Sequence, residues 1–152
     1  MTITKILTLI LTGTLGTFGF TLLFRMRKRL ILWAVLSGCL TMGVYVLCVR
    51  YTAQPFFQNL FPALFATAFA EVLARLTKAP TTPYIVCAVI PLVPGSALFY
   101  TMYHFIIGEM EQFHEMLMQT LSVSAGLAVG ILCVSAVMQI VTKKPKGSQK
   151  TK

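Results

Sequence analysis

The sequence predicts an all-α integral membrane protein with about five transmembrane helices, the fourth of them broken. Three observations carry this expectation. Hydrophobic residues make up 57% of the 152 and charged residues only 11%, against roughly 25% charged in soluble domains. Apolar runs of about 18 residues or more recur along the chain, each long enough to cross about 30 Å of hydrocarbon. Within the fourth run, Pro91, Pro94 and Gly95 fall close together. No continuous helix accommodates them, because each proline lacks an N–H and clashes with the carbonyl four residues back.

The first expected span, 6–24, contains no charge and runs into Arg25, Arg27, Lys28 and Arg29. That reads as a retained helix, since a signal-peptide core is shorter and ends at a small-residue cleavage site. Threonines at 8, 12, 14, 17 and 21 and glycines at 13, 16 and 19 make a small, hydroxyl-bearing surface suited to close helix approach and interhelical hydrogen bonds. The second span, 30–49, opens near Trp33, an interfacial residue type, and carries the small pair Ala34 and Gly38 before Arg50 ends it. The third, 56–76, has an alanine stripe at Ala66, Ala70 and Ala74.

Lys78, Pro80 and Pro83 form a basic turn before the broken fourth span, 83–105. The segment after it holds His104, Glu109, Glu111, His114 and Glu115. A surface metal site can be drawn from these residues, but no HExxH or comparable spacing exists. The expectation is a solvated amphipathic extension of the last helix, with no metal. The fifth span, 117–141, carries Ser122, Gly126 and Gly130 on one stripe, the small-residue packing pattern. The domain plan is therefore one polytopic unit, 1–142, and a polar basic tail, 143–152.

Two places in this plan bear chemistry. A half-helix starting near Ser96 directs its positive end at whatever the break faces, the arrangement by which transporters hold anionic groups. Pro91, Pro94, Gly95 and Ser96 are thus candidate substrate-binding residues, with Tyr100 as a hydroxyl donor one turn on and Tyr103 as an interfacial residue. The alternative is a proline kink that only shapes packing. The other place is Glu71, the one acidic residue inside a span, with Arg75 four residues later. That spacing allows an ion pair on one helix face, while an intramembrane carboxyl is also a candidate carrier of a coupling proton.

Charge placement sets the expected topology. All thirteen lysines and arginines except Lys5 and Arg50 collect on one side if the 25–29 loop, the 75–78 turn and the tail face the same way. The positive-inside rule then puts the N-terminus outside and the C-terminus in the cytoplasm of a multi-pass plasma-membrane protein. The net charge of +9 belongs to lipid-headgroup contacts and topology, not to nucleic acid, since aromatic-basic interleaving and zinc-finger spacing are both missing. Cys39, Cys48, Cys87 and Cys133 stand singly, with no CxxC pair. No enzymatic constellation and no cofactor motif is present.

Ile90-Pro91-Leu92-Val93-Pro94-Gly95, followed by Tyr100 and Tyr103, resembles the signature of the threonine/serine exporter family. Ala74-Arg75-Leu76-Thr77-Lys78-Ala79-Pro80 resembles the short linker that family carries one helix earlier. The layout is similar to the short membrane-only subunit of its split members, which pair with a longer subunit; one such pair is a succinate exporter. Ser96-Ala97 departs from the pattern, where many relatives keep another glycine. The resemblance implies export of threonine, serine or a dicarboxylate such as succinate. It also implies a longer partner subunit of the same family. The small-residue stripes add possible self-association to the expected contacts with lipid and substrate.

Overall fold

The computed structural model describes residues 3–25 and 28–142; the basic tail, and Met26 and Arg27 of the first basic loop, lie outside the described residues. Every regular element described is helical. In chain order these are α1 (Ile3–Leu23), α2 (Lys28–Tyr51), α3 (Pro55–Thr77), α4 (Thr81–Val89), a 3₁₀ turn (Ile90–Leu92), α5 (Gly95–Ile107) and α6 (Met110–Thr142). α1, α2, α3 and α6 are each long and apolar enough to cross a membrane, and α4 with α5 forms a pair bent by 51°. At 1.5 Å per residue, the 33 residues of α6 reach about 50 Å, well beyond the hydrocarbon. Of the 104–115 segment expected to extend the last helix, only the part from Met110 does so, with Glu111, Gln112 and Glu115 exposed; His104 to Ile107 belong instead to α5, which ends at the left-handed Gly108.

Helix ends follow local chemistry. Pro55 opens α3 at a position where a missing N–H costs nothing. Lys78 closes it in the left-handed conformation, φ 51°, with its N–H directed at the Ala74 and Arg75 carbonyls. Gly108 closes α5 at φ 81°, a backbone conformation that L side chains rarely adopt. Around it, the Gly108 N–H donates to Phe105 O at 3.3 Å and the Glu109 N–H to His104 O at 3.0 Å, the glycine-centred C-cap pattern.

Consecutive helices pack antiparallel, but α3 and α6 do not. Gly126 of α6 meets Phe56 of α3, Gly130 meets Leu60 and Ala63, and Cys133 to Met138 lie beside Leu64 and Ala68. The numbers rise together, so the two helices run parallel. A chain that leaves α3 on one side of the membrane must therefore cross once before α6 begins. The α4–α5 pair makes that crossing. Had it turned back as a re-entrant loop, α6 would run against α3. The ends of α1, α3 and α6 consequently share one side, and the α5–α6 corner lies on the other.

Small residues bring the helices together. A Cβ added at Gly126 would stand 2.5 Å from the Phe56 carbonyl oxygen, and one at Gly130 2.7 Å from the Ala63 Cβ, so α6 seats its glycines directly on the α3 backbone. Gly38 of α2 faces Thr17 of α1 equally closely. The alanine stripe is wholly buried. Ala66 lies with Met42, Ala63, Ala88, Leu92 and Leu127, while Ala70 and Ala74 lie with Ala34, Tyr84 and Cys87.

The threonines of α1 turn out differently from the interhelical bonds their pattern suggests. The hydroxyls of Thr8, Thr12, Thr14, Thr17 and Thr21 each donate to a carbonyl three or four residues back in α1 itself. A threonine hydroxyl reaches that carbonyl without any partner helix, and in an apolar medium no water competes for it. Thr17 and Thr21 are buried, so these two contribute packing shape.

Candidate functional site

The break is built by Pro94 more than by Pro91. Ile90, which precedes Pro91, keeps right-handed helical angles, φ −48° and ψ −44°, and the chain tightens into the 3₁₀ turn. Val93 precedes Pro94 and is extended, φ −63° and ψ 129°, because the proline ring crowds the helical region of the residue before it. Without a Pro94 N–H, the Ile90 carbonyl accepts from the Val93 N–H instead, at 3.1 Å. Pro94 then sits at φ −77° and ψ 55°, and the Gly95 N–H closes back on the Val93 carbonyl at 2.8 Å. That is an inverse γ-turn, and α5 starts on it.

The Leu98 N–H takes the Pro94 carbonyl at 3.0 Å, and Pro94 offers no side-chain cap. The amides of Ser96 and Ala97 are the first-turn donors that a helix leaves without an intrahelical partner. Leu92, 3% exposed, anchors the break in the core among Met42, Ala63, Val123 and Leu127. Gly95 and Ser96 are exposed. The break thus holds its apolar side inward and presents its polar turn at the surface of the chain.

Tyr100 follows Ser96 by four residues and shares its face of α5. It is half exposed and lies edge-on to Phe99, ring centroids 5.5 Å apart. Tyr103 lies edge-on to His104 at 5.4 Å. No lysine or arginine occurs anywhere from α4 through α5, so an anion at this turn depends on backbone amides and hydroxyls. Two grooves lie elsewhere. One of about 310 Å³ is lined by Leu64, Ala68, Cys133, Val134, Val137 and Met138, and one of about 340 Å³ by Thr4, Lys5, Thr8 and Leu9. Neither includes a residue of the break.

Glu71 is not brought to the break. It lies eight residues past Ala63, which shares the core with Leu92, and is thus about 12 Å further along α3. It is half-buried while Arg75 is exposed. Among the described residues a salt bridge joins His104 and Glu109, at 2.8 Å. Arg75 makes an interaction of its own.

Polar residues that sequence reasoning passed over prove structural. Thr101 and Thr120, both buried, meet hydroxyl to hydroxyl at 3.3 Å between α5 and α6. Tyr84 donates to Thr77 Oγ1 at 3.2 Å between α4 and α3. Asn59, 3% exposed, donates to the Pro55 carbonyl at 3.0 Å. Their signal was a lone polar residue on an otherwise apolar stretch, which does not say which neighbour it meets. Among the described residues no group of three or more metal-ligating side chains converges.

No curated protein and no solved structure matches this chain. A family model described as "Threonine/Serine exporter, ThrE" matches residues 9–137, a stretch that contains the break, Glu71 and most of every candidate span. A transporter family agrees with an all-helical, multi-pass membrane chain and sets catalysis aside. The chain belongs to the threonine/serine exporter family.

Proposed function

We propose that this chain is the membrane subunit of a two-component exporter of small carboxylate-bearing metabolites, threonine and serine first among them. The observation that carries the reading is the start of α5. Its unpartnered amides at Ser96 and Ala97 suit a carboxylate, and they open at the chain's surface, not into a chamber of its own. α5 has α6 behind it and no other helix packed on it to a comparable extent. A substrate site there needs a further wall, which a longer subunit of the same family would supply, or a second copy of this chain. In this reading Pro91, Pro94 and Gly95 shape the turn, Ser96 and its neighbour bind the carboxylate, and Tyr100 assists. The basic ends of α1 and α3, with the tail, face the cytoplasm, leaving the N-terminus outside.

Transport of labelled serine, threonine and succinate into vesicles under an imposed pH gradient tests this. Flux that requires both chains supports the two-component exporter, and the substrate ranking separates the amino acids from the dicarboxylate. Full flux from the longer chain alone would make this one a scaffold. Flux from this chain alone would mean that copies of it form the path.

Glu71, half-buried on α3, is the proposed carrier of the coupling proton, since an ionisable group in hydrocarbon is costly unless it is used or partnered. Glu71→Gln is expected to abolish export driven by a pH gradient while leaving membrane assembly intact. Wild-type export in that variant would remove Glu71 from the mechanism.

A further inference from the structure

The parallel helices α3 and α6 come closest at Gly126 and Gly130, where α6 rests on the α3 backbone. No glycine follows Gly130 along α6. The helix presents Cys133, Val134, Val137 and Met138 to Leu64 and Ala68 of α3 instead, and the groove of about 310 Å³ lies between these six side chains. Bulkier residues keep the two backbones from approaching as they do at the glycines. Ala68, Cys133 and Val137 are exposed along the groove, so it opens on the outer surface of the pair. Its apolar lining suits an alkyl chain and offers a polar metabolite little.

The groove leads to a charged end. Arg75 lies seven residues past Ala68, on the same face of α3 and about 10 Å further along it, and Lys78 follows at the C-cap. Both are exposed. Glu71, half-buried one turn before Arg75, is the acidic residue on this course, and the two cations beyond it leave the end net positive. A guanidinium has five N–H donors, so the interaction Arg75 already makes does not exhaust it. The same side of the membrane holds Arg25 and Lys28, while Glu109, Glu111 and Glu115 lie on the opposite side.

We propose that this groove binds an anionic phospholipid of the leaflet at the ends of α1, α3 and α6, with an acyl chain along Leu64, Ala68, Val134 and Val137 and the phosphate at Arg75 and Lys78. The depths agree. A hydrocarbon core about 30 Å thick gives each leaflet about 15 Å, and Ala68 and Leu64 stand about 10 and 16 Å from Arg75 along the helix. Basic clusters beside a cleft between membrane helices recognise anionic head groups. A zwitterionic headgroup brings a cation of its own to Arg75 and Lys78 and gains less. The site does not depend on what the chain exports.

The purified full chain in detergent is titrated with phosphatidylglycerol or phosphatidylcholine of identical acyl chains, and bound lipids are counted by native mass spectrometry. Each basic side chain near an anionic headgroup is worth about fivefold in affinity, so phosphatidylglycerol should bind the parent chain more than about tenfold more tightly than phosphatidylcholine. Arg75→Gln with Lys78→Gln should remove most of that preference, and Lys5→Gln with Arg50→Gln, on the opposite side, should keep it. Ala68→Phe and Val137→Phe each fill the groove with a ring and should abolish the tight phosphatidylglycerol. Thermal unfolding without added lipid should match the parent in all of them, because every substituted residue is exposed. Equal affinity of the parent for the two lipids overturns the site. So does a preference that survives Arg75→Gln with Lys78→Gln, and so does tight binding that survives both ring substitutions, since a headgroup held by surface charge alone needs no groove.

Discussion

Gly126→Leu is expected to abolish the folded chain in the membrane, and Gly130→Leu to do nearly as much. Both positions sit where α6 touches the α3 backbone. The added Cβ alone would meet the Phe56 carbonyl oxygen at 2.5 Å in one case and Leu60 O at 3.0 Å in the other. Backbone cannot rotate aside as a side chain does. The helices must separate, and separation empties the core that Ala63, Val123 and Leu127 share with Leu92. Overpacking in a close-packed interior costs about 1–3 kcal/mol even for extra methylenes, and here a whole isobutyl group is forced between two backbones.

The check is the yield of monodisperse protein after detergent extraction, followed by thermal unfolding. Gly16→Ala serves as the contrast. Nothing lies within 4 Å of a Cβ at Gly16, so alanine there should stabilise slightly, by up to about 1 kcal/mol, through lost chain entropy. Equal behaviour of Gly16→Ala and Gly130→Ala would mean that the α3–α6 contact is not where the structure puts it.

Gly95→Leu should do the reverse, preserving the fold and removing the transport. Gly95 does not need glycine's backbone freedom, since Gly108 is the glycine at positive φ, and a Cβ at Gly95 meets nothing within 4 Å. Side chains on a helix lean toward its N-terminus, so a leucine at this first position stands over the Ser96 and Ala97 amides. A carboxylate displaced from them forfeits charge-assisted bonds of about 1.5–3 kcal/mol, which is about tenfold to a hundredfold in KM. Expression and thermal stability should match the parent. Gly95→Ala, with a single methyl, should lose much less. Unchanged flux in Gly95→Leu would place the substrate elsewhere and leave the break as a packing kink. Pro94→Ala is expected to lower flux by another route, because Val93 is then free to turn helical and the 51° bend relaxes.

The membrane class, the apolar runs able to cross and the place of the break were legible in the residues themselves, because each is a local property. Hydrocarbon admits only long apolar helices. Proline acts on its own N–H and on the residue before it, so an interruption at Val93–Pro94 follows from the order of residues whatever surrounds them. What lay beyond local reasoning was which face of each helix meets which neighbour. A soluble helix declares its buried side by polarity, but a helix in lipid is apolar all round, and small residues mark closeness without naming a partner.

Only the packed chain decides that Gly126 and Gly130 sit on α3, that α3 and α6 run parallel, and that the α4–α5 pair is consequently one crossing. It decides too that the α1 threonines satisfy themselves and that Thr101 finds Thr120. In each case the sequence supplies a group able to interact, and the choice among available partners is made by distances that only the tertiary arrangement sets.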